Sequence, residues 1–186
     1  MRKLIFAINL TLDGCCDHTK VIGVEEILEY HTDLLREVDV LVFGRKTYEL
    51  MVPFWPDVAK SGSGETKAAN DFARAFSSVG RMVVFSRSLK GAEAKNARIV
   101  RARLQDEMLR LKQEEGRSIL TGGVDLPSQL VELGLVDEYH FVVQPLIVGE
   151  GRRLFERMAL PERLQLKLVE SRSLKSGSVA LRYLKA

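Results

Sequence analysis

The sequence predicts an α/β fold: a mixed, mostly parallel, eight-stranded sheet that is flanked by helices and ends in an antiparallel hairpin. Short runs of β-branched and apolar residues alternate with helix-period segments through the first two-thirds of the chain. Helices between buried strands favour parallel pairing. The last third alternates apolar and polar residues around a short turn, which is typical of a hairpin with one solvated face.

Eight strands and five helices follow from these patterns. The strands are expected at roughly 3–9, 39–43, 81–86, 97–101, 117–121, 138–146, 164–172 and 178–185. The helices are expected at roughly 24–37, 46–51, 65–76, 104–115 and 126–133.

Each part of this layout has a local cause. The apolar run near the N-terminus predicts the first strand, and the helix after it carries acidic residues on one face, which indicates a face in water. The second strand ends at Gly44, where a helix starts at once, and the strand at 118–121 runs directly into a Gly-Gly turn before the next helix. The alternating segments 164–170 and 179–184, joined by a turn at 175–178, predict the hairpin.

Residues 52–64 contain Pro53, Trp55, Pro56 and a Ser-Gly-Ser-Gly run, so they are predicted to form a long loop. Such a loop is either the rim of a substrate site or a surface excursion anchored by Phe54 and Trp55, and the sequence favours neither.

Composition limits the class of protein. The 186 residues suffice for one domain, residues 1–186, with a substantial core. No apolar run is long enough to cross a bilayer. The net charge is only +3 and the basic residues are interleaved with acids, so neither a nucleic-acid partner nor a membrane is expected. The only cysteines, Cys15 and Cys16, are adjacent, which suits neither a disulfide framework nor a metal site, and we expect a cytoplasmic protein.

The Gly122-Gly123 turn is a candidate phosphate site. Glycines let the backbone approach an anion closely, and the free N–H groups at the start of the following helix face it. A simple tight turn is the alternative interpretation of the same two residues.

Two other strand ends carry similar chemistry. Gly44-Arg45-Lys46-Thr47 places a cation and a hydroxyl on the first turn of a helix, which suits a pyrophosphate. Ser86-Arg87-Ser88 offers hydroxyls and a guanidinium for a phosphate monoester, the group that distinguishes NADP(H) from NAD(H). Three such strand ends are expected to hold a dinucleotide across the carboxyl edge of the sheet, although the Gly-x-Gly-x-x-Gly fingerprint is absent.

Six short motifs in this order resemble the dihydrofolate reductase-like fold. Over essentially the full length, the chain is similar to stand-alone proteins of the type of the reductase (C-terminal) domain of the bifunctional riboflavin-biosynthesis deaminase-reductase. The motifs are Thr11-Leu12-Asp13-Gly14, Gly44-Arg45-Lys46-Thr47-Tyr48-Glu49, Phe85-Ser86-Arg87, Gly122-Gly123, Val136-Asp137-Glu138 and Pro145-Leu146-Ile147-Val148-Gly149-Glu150-Gly151.

The resemblance implies an NADPH-dependent reductase that acts on a small polar heterocycle, imine or carbonyl. It implies a pyrophosphate contact from Gly44, Arg45 and Thr47, a 2′-phosphate clamp from Ser86 and Arg87, and a phosphate turn from Gly122, Gly123 and Val124. Ala7 and Ile8 would flank the nicotinamide, and Asp13, the candidate catalytic residue, would lie near the substrate mouth. A homodimer is also implied, with the C-terminal strands and the Pro145 region as its interface.

The sequence departs from the patterns of two related classes of reductase, and these differences narrow the range of functions. Dihydrofolate reductases place a carboxylate on the first helix, where this chain has Leu28, with Glu26 and Glu29 only adjacent. The zinc deaminase half of the bifunctional protein, which is recognised by the motifs His-x-Glu and Pro-Cys-x-x-Cys, has no counterpart here.

Among the histidines, His140 is expected to be structural and His31 a surface or boundary residue, whereas His18 lies in a loop near the nicotinamide position.

Three alternatives stay open at this point: a true dihydrofolate reductase, a nucleotide-binding protein without reductase activity, and a flavodoxin-type or Rossmann protein that prefers NADH or flavin.

Overall fold

The computed structural model describes residues 1–22, 24–160 and 162–186. Eight strands form one sheet in the spatial order β4-β3-β2-β5-β1-β6-β8-β7. The strands are β1 (Leu4–Thr11), β2 (Val38–Gly44), β3 (Arg81–Phe85), β4 (Ala97–Val100), β5 (Ser118–Thr121), β6 (Glu138–Gln144), β7 (Leu166–Ser173) and β8 (Val179–Lys185).

Helices precede or follow most of the strands. They are α1 (Val24–Arg36), α2 (Arg45–Met51), α3 (Phe54–Ser61), α4 (Lys67–Ser78), α5 (Leu104–Gln113) and α6 (Asp125–Glu132), with a short 3₁₀ helix at His18–Lys20. No helix in the described ranges is long and apolar enough to cross a membrane.

The pairing directions confirm the predicted fold class. Strands β1 to β6 run parallel to their neighbours among themselves, whereas β8 pairs antiparallel with both β6 and β7. The mixed, mostly parallel sheet and its C-terminal hairpin are therefore as expected from the sequence. The carboxyl ends of β1 to β5 consequently meet at one edge.

Hydrophobic cores lie on both faces of the sheet. On one face, α1 and α4 cover alternate strand residues such as Leu41 and Phe43. On the other face, α5 and α6 cover the intervening ones, such as Val40 and Val42. Burial of both faces explains why the central strands are nearly continuous apolar runs.

The prediction of a loop at 52–64 is wrong, because this segment contains α3. Pro56 lies in the first turn of that helix, where its missing N–H has no intrahelical partner to lose. The Trp55 ring packs edge-to-face on Phe72 of α4, with ring centroids 4.6 Å apart, and so docks the helix. The helix ends at Gly62, which is in the left-handed conformation with φ 64°.

Candidate functional site

A cleft of about 1030 Å³ opens at the carboxyl edge of the sheet. Its walls are the residues that follow β2, β3, β4 and β5, because parallel strands end at the same edge. The predicted cofactor residues that line it are Gly44, Arg45, Thr47, Ser86, Arg87, Gly123 and Val124. Gly122, Ala7 and Asp13 are not among the lining residues. The fold thus joins the three strand ends in a single cavity.

The turn at Gly123 lies directly against the first turn of α2. Gly123 has φ +91°, and a Cβ atom built on it would overlap the Oγ1 of Thr47. Only glycine fits at this position, for reasons of both conformation and space. The backbone of the β5–α6 junction and the Thr47 side chain on α2 therefore form one narrow corner of the cleft.

Ser86 and Arg87 form a second corner at the end of β3. The Ser86 Oγ accepts hydrogen bonds from the N–H groups of Ser88 (3.2 Å) and Leu89 (3.0 Å). These bonds fix the side chain and leave its hydroxyl hydrogen free to donate to a ligand. Arg87 is exposed and, within the described ranges, has no ion pair.

The cleft has a strong excess of positive charge. The basic residues that line it are Arg45, Lys46, Arg87, Arg101, Arg103 and Arg152, whereas Asp125 is the one carboxylate among the lining residues in the described part of the chain. A concave surface lined by one sign of charge concentrates ligands of the opposite sign. The arrangement therefore favours an anionic ligand.

Three of the charged cleft residues, Arg101, Arg103 and Asp125, were not identified from the sequence, whereas the sequence indicates Arg152, with Arg153, as a basic residue near the loop at 149–151. Arg101 and Arg103 follow β4 just as Arg45 follows β2, so the same strand-end rule would have found them. Asp125 and Arg152 meet in an ion pair between the start of α6 and the loop after β6, and nothing in their sequence spacing signals this contact.

Ala7 lies deeper, beside the Gly-Gly turn. It is 8% exposed on β1, and a Cβ built on Gly122 would stand 3.4 Å from its carbonyl oxygen. The backbones of β1 and of the turn after β5 thus approach each other closely at Gly122. His18 lines the cleft from the loop that follows β1.

Asp13 connects two loops near the same edge. Its carboxylate accepts hydrogen bonds from the Thr11 hydroxyl (2.6 Å) and from the N–H groups of Val148 (3.2 Å) and Gly149 (2.9 Å). The bond from Thr11, followed by that from Gly149, lowers the pKa of Asp13 to about 2. Asp13 is therefore ionised at neutral pH and holds the loop after β6; its catalytic role stays a prediction.

A buried polar network fills the space between α1, β1 and β6. The Tyr30 hydroxyl lies 2.6 Å from His140 Nδ1, and His140 Nε2 lies 2.9 Å from Glu138 Oε1, so His140 has the structural role expected. His31 Nε2 lies 2.8 Å from Asn9 Oδ1. Desolvation lowers the pKa of His31 to about 4, so its ring is neutral at physiological pH.

The acidic residues of α1 show no convergence on the cleft. Glu26 accepts hydrogen bonds from the N–H groups of Lys175 (2.8 Å) and Ser176 (2.7 Å), and thereby ties α1 to the β7–β8 turn. Leu28 packs against the hydrophobic core. Within the described ranges, no three His, Cys, Asp or Glu side chains are grouped as a metal site would require.

Comparison with known proteins agrees with this architecture. The uncharacterized protein YyaP of Bacillus subtilis is 31% identical over 191 residues, which cover 98% of this chain and 94% of that protein. A pyrimidine reductase-like protein from Corynebacterium diphtheriae superimposes with a TM-score of 0.68 at 15% identity, over 100% of this chain and 92% of that one.

The bifunctional diaminohydroxyphosphoribosylaminopyrimidine deaminase/5-amino-6-(5-phosphoribosylamino)uracil reductase from Thermotoga maritima has the same fold. It superimposes with a TM-score of 0.69 at 15% identity, over 100% of this chain but only 57% of that chain. The family model of the RibD C-terminal domain matches residues 2–180. The resemblance drawn from the six motifs is thereby confirmed, and the chain belongs to the RibD C-terminal domain family.

Proposed function

We propose that this protein is an NADPH-dependent reductase that transfers a hydride to a small polar heterocycle, imine or carbonyl compound. The basic cleft that joins the ends of β2, β3 and β5 is the observation that carries the proposal. Family membership supports it, since a solved relative of the same fold is named as a uracil reductase.

The residues present fit a phosphorylated dinucleotide. Gly123 brings the backbone of the phosphate turn against the Thr47 hydroxyl, because a Cβ atom there would overlap Thr47 Oγ1, so the backbone N–H groups of this turn and that hydroxyl would be able to bind one pyrophosphate. At the other corner, the Ser86 hydroxyl hydrogen and the unpaired guanidinium of Arg87 are donors that a 2′-phosphate can use. The surrounding arginines and Lys46 supply the countercharge for both groups.

The protein's task in this reaction is binding and orientation. NADPH, when bound, supplies the hydride. The pyrophosphate would be held by Gly44, Arg45 and Thr47 together with the turn at 122–124. The 2′-phosphate would be held by Ser86 and Arg87. Ala7, buried on β1 beside the Gly-Gly turn, would flank the nicotinamide as the family resemblance implies. Asp13 would act by keeping the loop after β6 in place at the substrate mouth.

Folate is the less favoured substrate. The position on α1 where a pterin-binding carboxylate is expected holds Leu28, which packs into the core, and the adjacent Glu26 is committed to two backbone N–H groups.

An assay of NADPH oxidation tests the reductase activity. We would follow loss of nicotinamide absorbance with riboflavin-pathway pyrimidines, dihydrofolate and simple imines as acceptors. Turnover of a pyrimidine or imine, with little or none of dihydrofolate, is expected. Cofactor binding without turnover of any acceptor would favour a nucleotide-binding protein without reductase activity.

Residues 1–186 are proposed to act as one domain in a cytoplasmic homodimer. Strand β7 is an edge strand with Leu168 and Val169 partly exposed, 49% and 42% respectively, so it offers an apolar pairing edge. Light scattering on the purified protein and on Val169→Lys tests the dimer: the wild type should have twice the chain mass and the variant less.

A further inference from the structure

The ion pair between Asp125 and Arg152 lies in the cleft itself. Arg152 Nη1 donates to Asp125 Oδ2 at 2.8 Å, and Nη2 donates to Oδ1, so the pair is bidentate. Asp125 is the first residue of α6 and directly follows the turn at 122–124. A carboxylate at this place is near the same free N–H groups that suit a phosphate.

Arg152 belongs to a segment that is fastened to the loop after β1. Its carbonyl oxygen accepts a hydrogen bond from the Cys16 N–H (2.9 Å), and the Leu154 N–H donates to the Gly14 carbonyl (2.9 Å). Glu150 in the same segment accepts from Lys20 Nζ at 2.6 Å. The backbone at Arg152 is therefore tied to the loop after β1.

Two features favour an exchange of partners by the ion pair between Asp125 and Arg152. Arg152 has an Nε atom that is buried and lacks a hydrogen-bond partner among the described residues, with Glu156 Oε1 at 3.6 Å. Asp125 is largely exposed, with 59% of its side chain accessible. Water screens the attraction between an exposed carboxylate and an arginine even where the pair is bidentate, and a phosphate offers more charge and more acceptors.

We propose that the Asp125 carboxylate and a ligand phosphate compete for Arg152, and that a dinucleotide binds by taking Arg152 from Asp125. This deepens the proposed function and depends on it for the identity of the ligand. Arg152 is a specificity-determining residue here, because the exchange makes binding selective. A small monovalent anion cannot displace the carboxylate, whereas a pyrophosphate with contacts along the cleft can.

Titration of three variants of the full chain tests this exchange. In Asp125→Asn the competitor is gone, so the Kd for NADPH should fall about threefold. In Arg152→Gln the positive charge that would bind the phosphate is lost and Asp125 stays, so the Kd should rise about tenfold. The double variant should bind more tightly than Arg152→Gln alone, because Asp125 no longer repels the phosphate.

Asp33→Asn is the matched control for net charge. Asp33 pairs with Arg36 at 2.9 Å on α1, outside the cleft, so its replacement should leave the Kd unchanged. Circular dichroism would verify that each variant is folded. If both Asp125→Asn and Arg152→Gln bind NADPH more weakly than the wild type, the ion pair only holds the loop after β6 in place, and the exchange is overturned.

Inorganic pyrophosphate serves as a second probe and separates the two proposals. If the wild type binds pyrophosphate but not NADPH, and Asp125→Asn tightens pyrophosphate, the exchange stands while the proposed cofactor fails. If the wild type binds NADPH and Asp125→Asn binds it no more tightly, the exchange fails while the cofactor stands. If neither NADPH nor pyrophosphate binds to the wild type or to Asp125→Asn, the exchange is overturned as well.

Discussion

Replacement of Arg87 by alanine should separate NADPH from NADH. Arg87 is exposed at the cleft and has no ion pair within the described ranges, so its guanidinium is free for the 2′-phosphate. A hydrogen bond to a charged group contributes about 1.5–3 kcal/mol, and an exposed site is expected at the lower end. A loss of about 1.5 kcal/mol corresponds to a Kd for NADPH about tenfold higher.

NADH lacks the 2′-phosphate, so its Kd should change by about twofold at most, since only the long-range charge of Arg87 is lost. Isothermal calorimetry at fixed, moderate salt measures both constants. Arg74→Ala is the matched control, because Arg74 is an exposed arginine on α4 that does not line the cleft. An equal loss for the two cofactors would refute the clamp formed by Ser86 and Arg87.

Three further results are expected. Gly123→Val should abolish binding of both cofactors and lower the melting temperature, because a side chain there overlaps Thr47 and the backbone has φ +91°; calorimetry and thermal circular dichroism measure these effects. The pKa of Glu138 is lowered to about 2, first by its bond with His140. The ionised Glu138 carboxylate therefore stabilises the fold fully above pH 4.5, its ordinary pKa, and this stability is lost as the pH falls toward 2. Glu138→Gln should flatten this part of the profile of melting temperature against pH. Trp55→Ala should lower the free energy of unfolding by about 2 kcal/mol, less than for a fully buried ring, as measured by urea denaturation.

The controls for these variants come from the same chain. Gly62→Ala tests backbone strain alone, because Gly62 has φ +64° and open space where a Cβ would stand; it should lower stability without loss of cofactor. Unchanged cofactor binding by Gly123→Val would contradict the phosphate corner. A Glu138→Gln profile parallel to that of the wild type would contradict the carboxylate's role. A change below about 0.5 kcal/mol for Trp55→Ala would show that α3 is not docked through this ring.

The architecture was accessible from sequence because its signals are local. Periodicity predicted each of the eight strands within a few residues, and the rule that parallel strands end at one edge predicted that Gly44, Ser86 and Gly123 meet. The missed helix α3 shows the limit of this approach. Pro56 indicates a loop in isolation, whereas the packing of Trp55 on Phe72 supports a helix, and such a tertiary contact has no local signature.

The ion pairs at the site were hidden for the same reason. Asp125 and Arg152 are 27 residues apart, and only the return of the chain along β6 brings them together. Asp13 was predicted to lie near the substrate mouth from a motif, but its bonds to Val148 and Gly149 depend on the path of a distant loop. Charge pairing and hydrogen-bond partners are properties of the folded chain, so the sequence predicted which strand ends share the cleft better than it predicted the electrostatics of that cleft.

A side-by-side titration of the wild-type protein with NADPH and NADH tests the proposed cofactor most directly. Nicotinamide fluorescence or calorimetric heat, recorded at moderate salt, reports both affinities. Tight binding of NADPH with at least about a tenfold preference over NADH is expected, because only NADPH carries the 2′-phosphate that the proposed clamp of Ser86 and Arg87 would bind. Equal affinities, or no binding of either cofactor, would contradict an NADPH site in this cleft.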